Sequence, residues 1–330
     1  MTQPSDSELA ARVLRGERRA LSKVVTLLES TRADHRKRAD AVLALLTPHS
    51  GKSLRIGVSG VPGAGKSTFI EAFGLWLVER GHKVAVLAID PSSARSGGAI
   101  LGDKTRMEQL SVHPAAFVRP SPSAGTWGGV AAKTRESMLA FEAAGYDVVL
   151  VETVGVGQSE TAVATMTDLF LLLQLPNAGD DLQAMKKGVV ELADLIVVNK
   201  ADLDESAARR AVSQLEGALR LFGATRSVGE HTWAPEVLTL SALSKTGLPE
   251  LWARVERFVD SAKRSGAFHD KRREQALAWL WDLVRAELES QFREHPSVAS
   301  RLDAVETEVR EGQVAPTSAA RRLLEQFRAS

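Results

Sequence analysis

The sequence predicts an α/β protein built on a mostly parallel, doubly wound sheet, and three observations carry that expectation. From Gly51 to about Ser265, apolar runs of strand length alternate with stretches that carry apolar residues at helical spacing. A glycine-rich turn joins the first such run to the helix after it. Polar, turn-rich loops follow several later runs. The chemistry-bearing residues therefore gather at the carboxyl ends of the strands, the side on which open α/β sheets bind ligands.

The first element of that series is Leu54 to Ser59, read as a buried strand, followed by Gly60-Val61-Pro62-Gly63-Ala64-Gly65-Lys66-Ser67 and a helical pattern from Thr68 to Arg80. The octapeptide fills every fixed position of the phosphate loop G-x-x-x-x-G-K-[ST], in the strand-to-helix context that gives the motif meaning. Glycines let backbone N–H groups converge on phosphate at a helix N-terminus, and Thr68 continues that first turn. Lys66 supplies a point charge for the β- and γ-phosphates, and the Ser67 hydroxyl suits Mg²⁺.

The next element to carry information is the apolar run Leu195 to Val198, because Asn199-Lys200-Ala201-Asp202 follows it directly. N-K-x-D is a guanine reader: the Asp202 carboxylate can accept from both N1–H and the 2-amino group, donors that adenine lacks there. A base that leaves the carboxylate unpaired costs on the order of 1–3 kcal/mol, so selection works by penalty. Ser241-Ala242-Leu243, after the strand-like Val237 to Leu240, resembles a third guanine-site element whose backbone N–H meets O6; the tripeptide alone proves nothing. Together these loops predict GTP and GDP as the nucleotides.

Between the two anchors lies Val148-Val149-Leu150-Val151-Glu152-Thr153-Val154-Gly155, a strand that ends in a carboxylate. GTPases usually carry Asp at the first position of D-x-x-G, where it holds Mg²⁺ through water. Here that position is Glu152, one methylene longer. Val156 stands where Ras-type proteins place the water-orienting Gln, and the nearest Gln is Gln158, so hydrolysis without a partner is expected to be slow. Asp90, at the end of the strand-like Val84 to Ile89, opens a turn-rich loop; with Asp103 it is a candidate Mg²⁺ ligand or water-orienting base, although Asp103 equally suits an N-cap for a helical segment from Lys104 to Ser111. A third polar loop, Asn177 to Asp181, follows the run Leu169 to Leu173, and Lys186 beyond it could enter the phosphate site or be solvated.

With these motifs assembled, the chain resembles the MeaB/ArgK family of GTPases, chaperones of adenosylcobalamin-dependent acyl-CoA mutases such as methylmalonyl-CoA mutase. The resemblance runs over nearly the whole length. It rests on Gly16 to Ser22, Gly60 to Thr68, Asp90-Pro91-Ser92-Ser93, Glu152-Thr153-Val154-Gly155-Val156-Gly157-Gln158-Ser159, Asn177 to Lys187 and Asn199 to Asp202. It implies that Asp90 and Asp103 are Mg²⁺-proximal, that Gln158 lies in a second switch, and that Lys186 lies in a third switch that senses the mutase.

Composition narrows the alternatives. The absence of Cys excludes disulfides, thiolate metal ligation and cysteine catalysis, and the 7 His show no paired ligand spacing, which disfavours a metallochaperone-type GTPase. Asp202 argues against a P-loop kinase using ATP. A net charge of +1 implies no nucleic-acid partner, and no apolar stretch approaches a membrane span, so the expected location is cytoplasmic. The predicted organisation is a helical N-terminal extension (1–50), the GTPase domain (51–265) and a helical C-terminal segment (266–330). In the last, Leu277, Trp281, Val284 and Leu288 share one stripe that Trp279, Leu280 and Leu283 widen. Such a face either packs back on its own domain or meets a partner; the resemblance implies a homodimer arm.

Overall fold

The computed structural model describes residues 4–90, 107–122, 127–153, 159–176, 187–221, 223, 226–228 and 231–328. Asp103, Gln158 and Lys186 lie outside the described residues, as does the side chain of Asp90. Three helices come first: α1 (Asp6–Leu14), α2 (Arg18–Glu29) and α3 (Ala33–Leu46). The strands are β1 (Leu54–Gly60), β2 (Val84–Asp90), β3 (Ala116–Pro122), β4 (Val148–Thr153), β5 (Leu169–Gln174), β6 (Leu195–Val198), β7 (Arg226–Val228), β8 (His231–Trp233) and β9 (Glu236–Thr239). Seven of them form one sheet in the order β3-β2-β4-β1-β5-β6-β9, with every pairing parallel. β7 and β8 pair antiparallel apart from it.

The sheet is parallel because each crossover carries helix. The intervening helices are α4 (Lys66–Val78), α5 (Glu108–Val112), α6 (Trp127–Ala143), α7 (Ser159–Met166), α8 (Lys187–Val190) and α9 (Glu205–Leu221), and α10 (Leu248–Arg264) follows the last strand. β4 and β5 are buried at every position, the consequence of helices on both faces and the reason their sequences run apolar without alternation. One core joins α1, α2 and α3 to the face covered by α6, α7 and α9, through Val13, Val24, Val42 and Phe141. The other joins α4, α5 and α10 to the opposite face, through Phe73, Leu110 and Val255. The helical prelude is thus part of the domain's own packing. Gly57 of β1 shows how close one of these helices comes: a Cβ there would lie 2.7 Å from Val163 and 2.9 Å from Thr167.

Small departures from the sequence reading have local causes. The first helix of the sheet starts at Lys66 rather than Thr68, and the helical segment expected from Lys104 is described as α5 from Glu108. The strand before Ser241 ends at Thr239. Among the described residues no helix is long and apolar enough to cross a membrane.

The remaining helices are α11 (Ala267–Glu294), α12 (Pro296–Arg310) and α13 (Pro316–Arg328). The chain divides into two compact units, residues 1–275 and 276–330. In the second, α12 and α13 meet over Val298, Val305, Ala319 and Leu323. Beside them is an open groove of about 680 Å³ lined by Phe292, Leu302, Val309 and Leu324. Leu277, Leu280 and Trp281 of α11 are 60%, 52% and 57% exposed in the single chain.

A charged junction fastens the prelude to α6 and the sheet edge. Arg119 of β3 forks onto the Glu29 carboxylate, with Nε donating at 3.0 Å, and Lys133 Nζ donates to the Glu29 carbonyl at 2.7 Å. Beside them, burial raises the Glu136 carboxyl from 4.5 to about 7; Asp40 adds to the rise, while Lys133 and Arg36 oppose it. A carboxyl whose folded pKa is raised holds its proton longer folded than unfolded, so its contribution to stability is present below pH 4.5 and is lost as pH climbs to about 7. Glu136→Gln is expected to flatten that slope and raise the melting temperature at pH 8 relative to wild type, as followed by circular dichroism across pH 5–8.

Candidate functional site

Strand β1 ends at Gly60 and α4 begins at Lys66, so the phosphate loop spans the carboxyl edge of the central strand. Gly63 and Gly65 hold φ of 81° and 82°, the left-handed region that glycine enters without a Cβ penalty. At Gly60 a Cβ would stand 2.4 Å from the Leu173 carbonyl oxygen, so the backbone turn closes only without a side chain. Lys66 curls over this loop, its Nζ donating to the Gly60 carbonyl at 2.8 Å and to Val61 at 3.4 Å.

The pairing of β1 with β4 sets Val58 opposite Glu152 and so delivers the carboxylate to the loop. Ser67 Oγ donates to Glu152 Oε1 at 3.1 Å. Glu152 is only 6% exposed, and next to it Thr153 Oγ1 donates to Ser59 Oγ at 2.8 Å, fixing the strand end. Burial holds the Lys66 ammonium below its ordinary pKa, with Glu152 and then Glu160 acting against the shift. A hydroxyl and a carboxylate converging in front of a glycine cradle are the oxygen donors a hard divalent cation takes together with phosphate. The residues present therefore fit Mg²⁺ in the company of a nucleotide.

The Asn199 to Asp202 loop is joined to this cradle by one side chain. Asn199, buried at 1% exposure, donates from Nδ2 to the Ala64 carbonyl at 2.8 Å and accepts at Oδ1 from the Ala242 N–H at 3.1 Å. It thus braces three loops contributed by β1, β6 and β9. Lys200 adopts a positive φ of 60°, and its Cε would lie 3.6 Å from a Cβ on Gly65, so its stem lies against the phosphate loop. Asp202 is exposed. The Ser241 to Thr246 turn closes through two backbone hydrogen bonds of 3.1 Å, leaving Ser241 and Ala242 buried and Leu243 exposed.

The structure thus gathers Gly60 to Thr68, Glu152, Asn199 to Asp202 and Ser241 to Leu243 on one edge of the sheet, with Asp90 ending the nearby β2. The sequence reading missed Glu160. This acid is 6% exposed in the first turn of α7 and acts on Lys66 electrostatically. Its only sequence signal was an acid beside Ser159 where a helix could begin.

Residues 21–297 match the family described as Methylmalonyl Co-A mutase-associated GTPase MeaB. The chain belongs to the MeaB family of GTPases. Relatives agree: GTPase ArgK of Escherichia coli is 50% identical over 83% of this chain and 82% of its own length. The mitochondrial methylmalonic aciduria type A homolog of Mus musculus is 44% identical over 96% of this chain and 78% of its own. A solved structure titled LAO/AO transport system kinase superposes with a TM-score of 0.77 at 37% identity, covering 99% of each chain. Membership of a GTPase family implies that the chain binds GTP and GDP.

Proposed function

We propose that this GTPase is a chaperone of an adenosylcobalamin-dependent acyl-CoA mutase, most specifically methylmalonyl-CoA mutase, and that GTP turnover gates cofactor loading and protects the loaded enzyme. The observation that carries the reading is the match of residues 21–297 to mutase-associated GTPases. The proposed location is the cytoplasm.

In this reading Asp202 accepts from the guanine N1–H and 2-amino groups, and the 241–243 turn faces O6. Backbone N–H groups of residues 60–68 surround the phosphates, and Lys66 places its charge at the β- and γ-phosphate oxygens. Ser67 and Glu152, with Asp90 and Asp103, would hold Mg²⁺, which when bound neutralises charge developing on the phosphate oxygens. The Asn199 brace keeps the base-reading and phosphate-binding loops at one spacing, so nucleotide contacts made at one end orient the other. Gln158 or a partner-ordered loop orients the attacking water, since Val156 cannot. Lys186 is assigned to the loop that meets the mutase. The apolar stripe of α11 around Trp279, Trp281 and Val284 is assigned to a homodimer contact.

The test adds purified mutase to the GTPase and follows phosphate release. Turnover is expected to be slow alone and to rise with mutase, and partner-supplied ordering gives about 10³–10⁵-fold in other GTPases. Stimulation by no mutase of the class would sink the chaperone reading. The kinase title of the similar solved structure supplies the second reading; preference for ATP, or phosphate release only with an added acceptor, would favour it.

A further inference from the structure

Helix α7 connects two places that the sequence keeps far apart. Its first turn carries Glu160, buried and acting on Lys66 of the phosphate loop. In the chain the same end follows β4, which closes at Glu152 and Thr153. With 8 residues, α7 is about 12 Å long at 1.5 Å per residue. Just past its other end stand Thr167 and Asp168, and there the first turns of α11 take hold.

Arg272 donates from Nε to Asp168 Oδ1 at 2.8 Å and from Nη2 to Oδ2 at 2.6 Å. The same guanidinium donates to the carbonyls of Gly51 and Ser53, each at 2.6 Å. Lys271 Nζ donates to the Asp168 carbonyl at 2.8 Å and Gln275 Nε2 to the Thr167 carbonyl at 2.9 Å. Asp168 also accepts at Oδ2 from the Arg55 N–H of β1 at 2.7 Å. The side chains of Arg272 and Asp168 are 12% and 2% exposed. A forked, charge-assisted pair this buried is rigid, and losing one partner strands the other charge. Three donors of one helix, Lys271, Arg272 and Gln275, therefore hold the trailing end of the helix whose first turn carries Glu160.

Nothing about nucleotide binding needs this clamp, because it lies at the opposite end of β1 from Gly60. It has a mechanical consequence nevertheless. α7 is packed tightly on β1, where a Cβ on Gly57 would stand 2.7 Å from the Val163 side chain and 2.9 Å from that of Thr167, so a displacement of its first turn is carried along the helix rather than absorbed by loose packing. A change at Lys66, Glu152 or Glu160 that shifts α7 loads the clamp, and α11 continues from the clamp to Glu294.

We infer that Arg272 and Asp168 are positioning residues of the GTPase reaction, acting through α7, and that the clamp makes the C-terminal segment 276–294 responsive to which nucleotide is bound. The inference rests on the reading of the site as a GTP site. By reciprocity, whatever binds the C-terminal segment in a nucleotide-dependent way must alter nucleotide affinity in turn.

The test uses the full chain and two variants. Arg272→Gln removes the fork; Lys271→Met/Gln275→Leu removes the two carbonyl contacts and leaves the buried ion pair, so it folds if the first does not. Misplacement of this kind costs up to about 10²-fold, so kcat for GTP is expected to fall about 10–10²-fold in Arg272→Gln, with KM near wild type. The double variant is expected to show the same split to a smaller extent. Hydrogen exchange of residues 276–294 is expected to differ between GDP and a non-hydrolysable GTP analogue in the wild type and to lose that difference in both variants. Unchanged kcat in a folded variant, or exchange at 276–294 that ignores nucleotide in the wild type, overturns the inference. Absence of GTP affinity in the wild type overturns the underlying site reading as well, and is told apart because no binding is seen at all.

Discussion

Lys66→Ala is expected to abolish measurable GTP hydrolysis while leaving the protein folded. Among the described residues the Nζ of Lys66 donates to loop carbonyls, those of Gly60 and Val61. Burial already disfavours its charge, so removing it relieves a desolvation cost and the melting temperature should hold or rise. In the proposed reaction the same charge faces phosphate oxygens that gain charge in the transition state. Loss of one such preorganised group costs about 10²–10³-fold or more in kcat. Single-turnover phosphate release on a variant with wild-type circular dichroism decides the matter. A variant that hydrolyses GTP within about threefold of wild type would remove Lys66 from the chemistry.

The second large effect is a change of base. Asp202→Asn should weaken GTP and admit XTP, because an asparagine amide donates to the carbonyl that xanthine carries in place of the 2-amino group. Sites built to hydrogen-bond a particular group reject analogues lacking it by about 10⁴–10⁵-fold. Asp202 is exposed, so the substitution should change stability by no more than about 0.5 kcal/mol. Competition titrations with GTP, ATP and XTP check it. Unchanged GTP affinity in Asp202→Asn would mean that the guanine assignment is wrong.

The parts legible in the sequence were those whose physics is local. Residues 60–68 form one turn, so their spacing alone specifies the cradle, and the buried runs at 148–153 and 169–174 could only be strands between helices. Strand β3 escaped because Ala116-Phe-Val-Arg-Pro-Ser-Pro122 carries two prolines, which a sheet tolerates at its edge, where topology places it. The β7–β8 pair is too short to show a period. The Asn199 brace was half visible: its motif was read, but not that one amide would hold both Ala64 and Ala242. The clamp of Asp168 by Arg272 joins residues 104 positions apart. Neither residue belongs to a motif, and only the folded sheet brings them together.

The central claim is that one nucleotide-dependent state is recognised by an acyl-CoA mutase. Titration of the mutase into the protein loaded with GDP, and separately with a non-hydrolysable GTP analogue, tests it most directly. The two mutase affinities should differ by about 5–150-fold, and the mutase should change the ratio of GDP to analogue affinity by the same factor. Equal mutase affinity for both nucleotide forms would contradict the account.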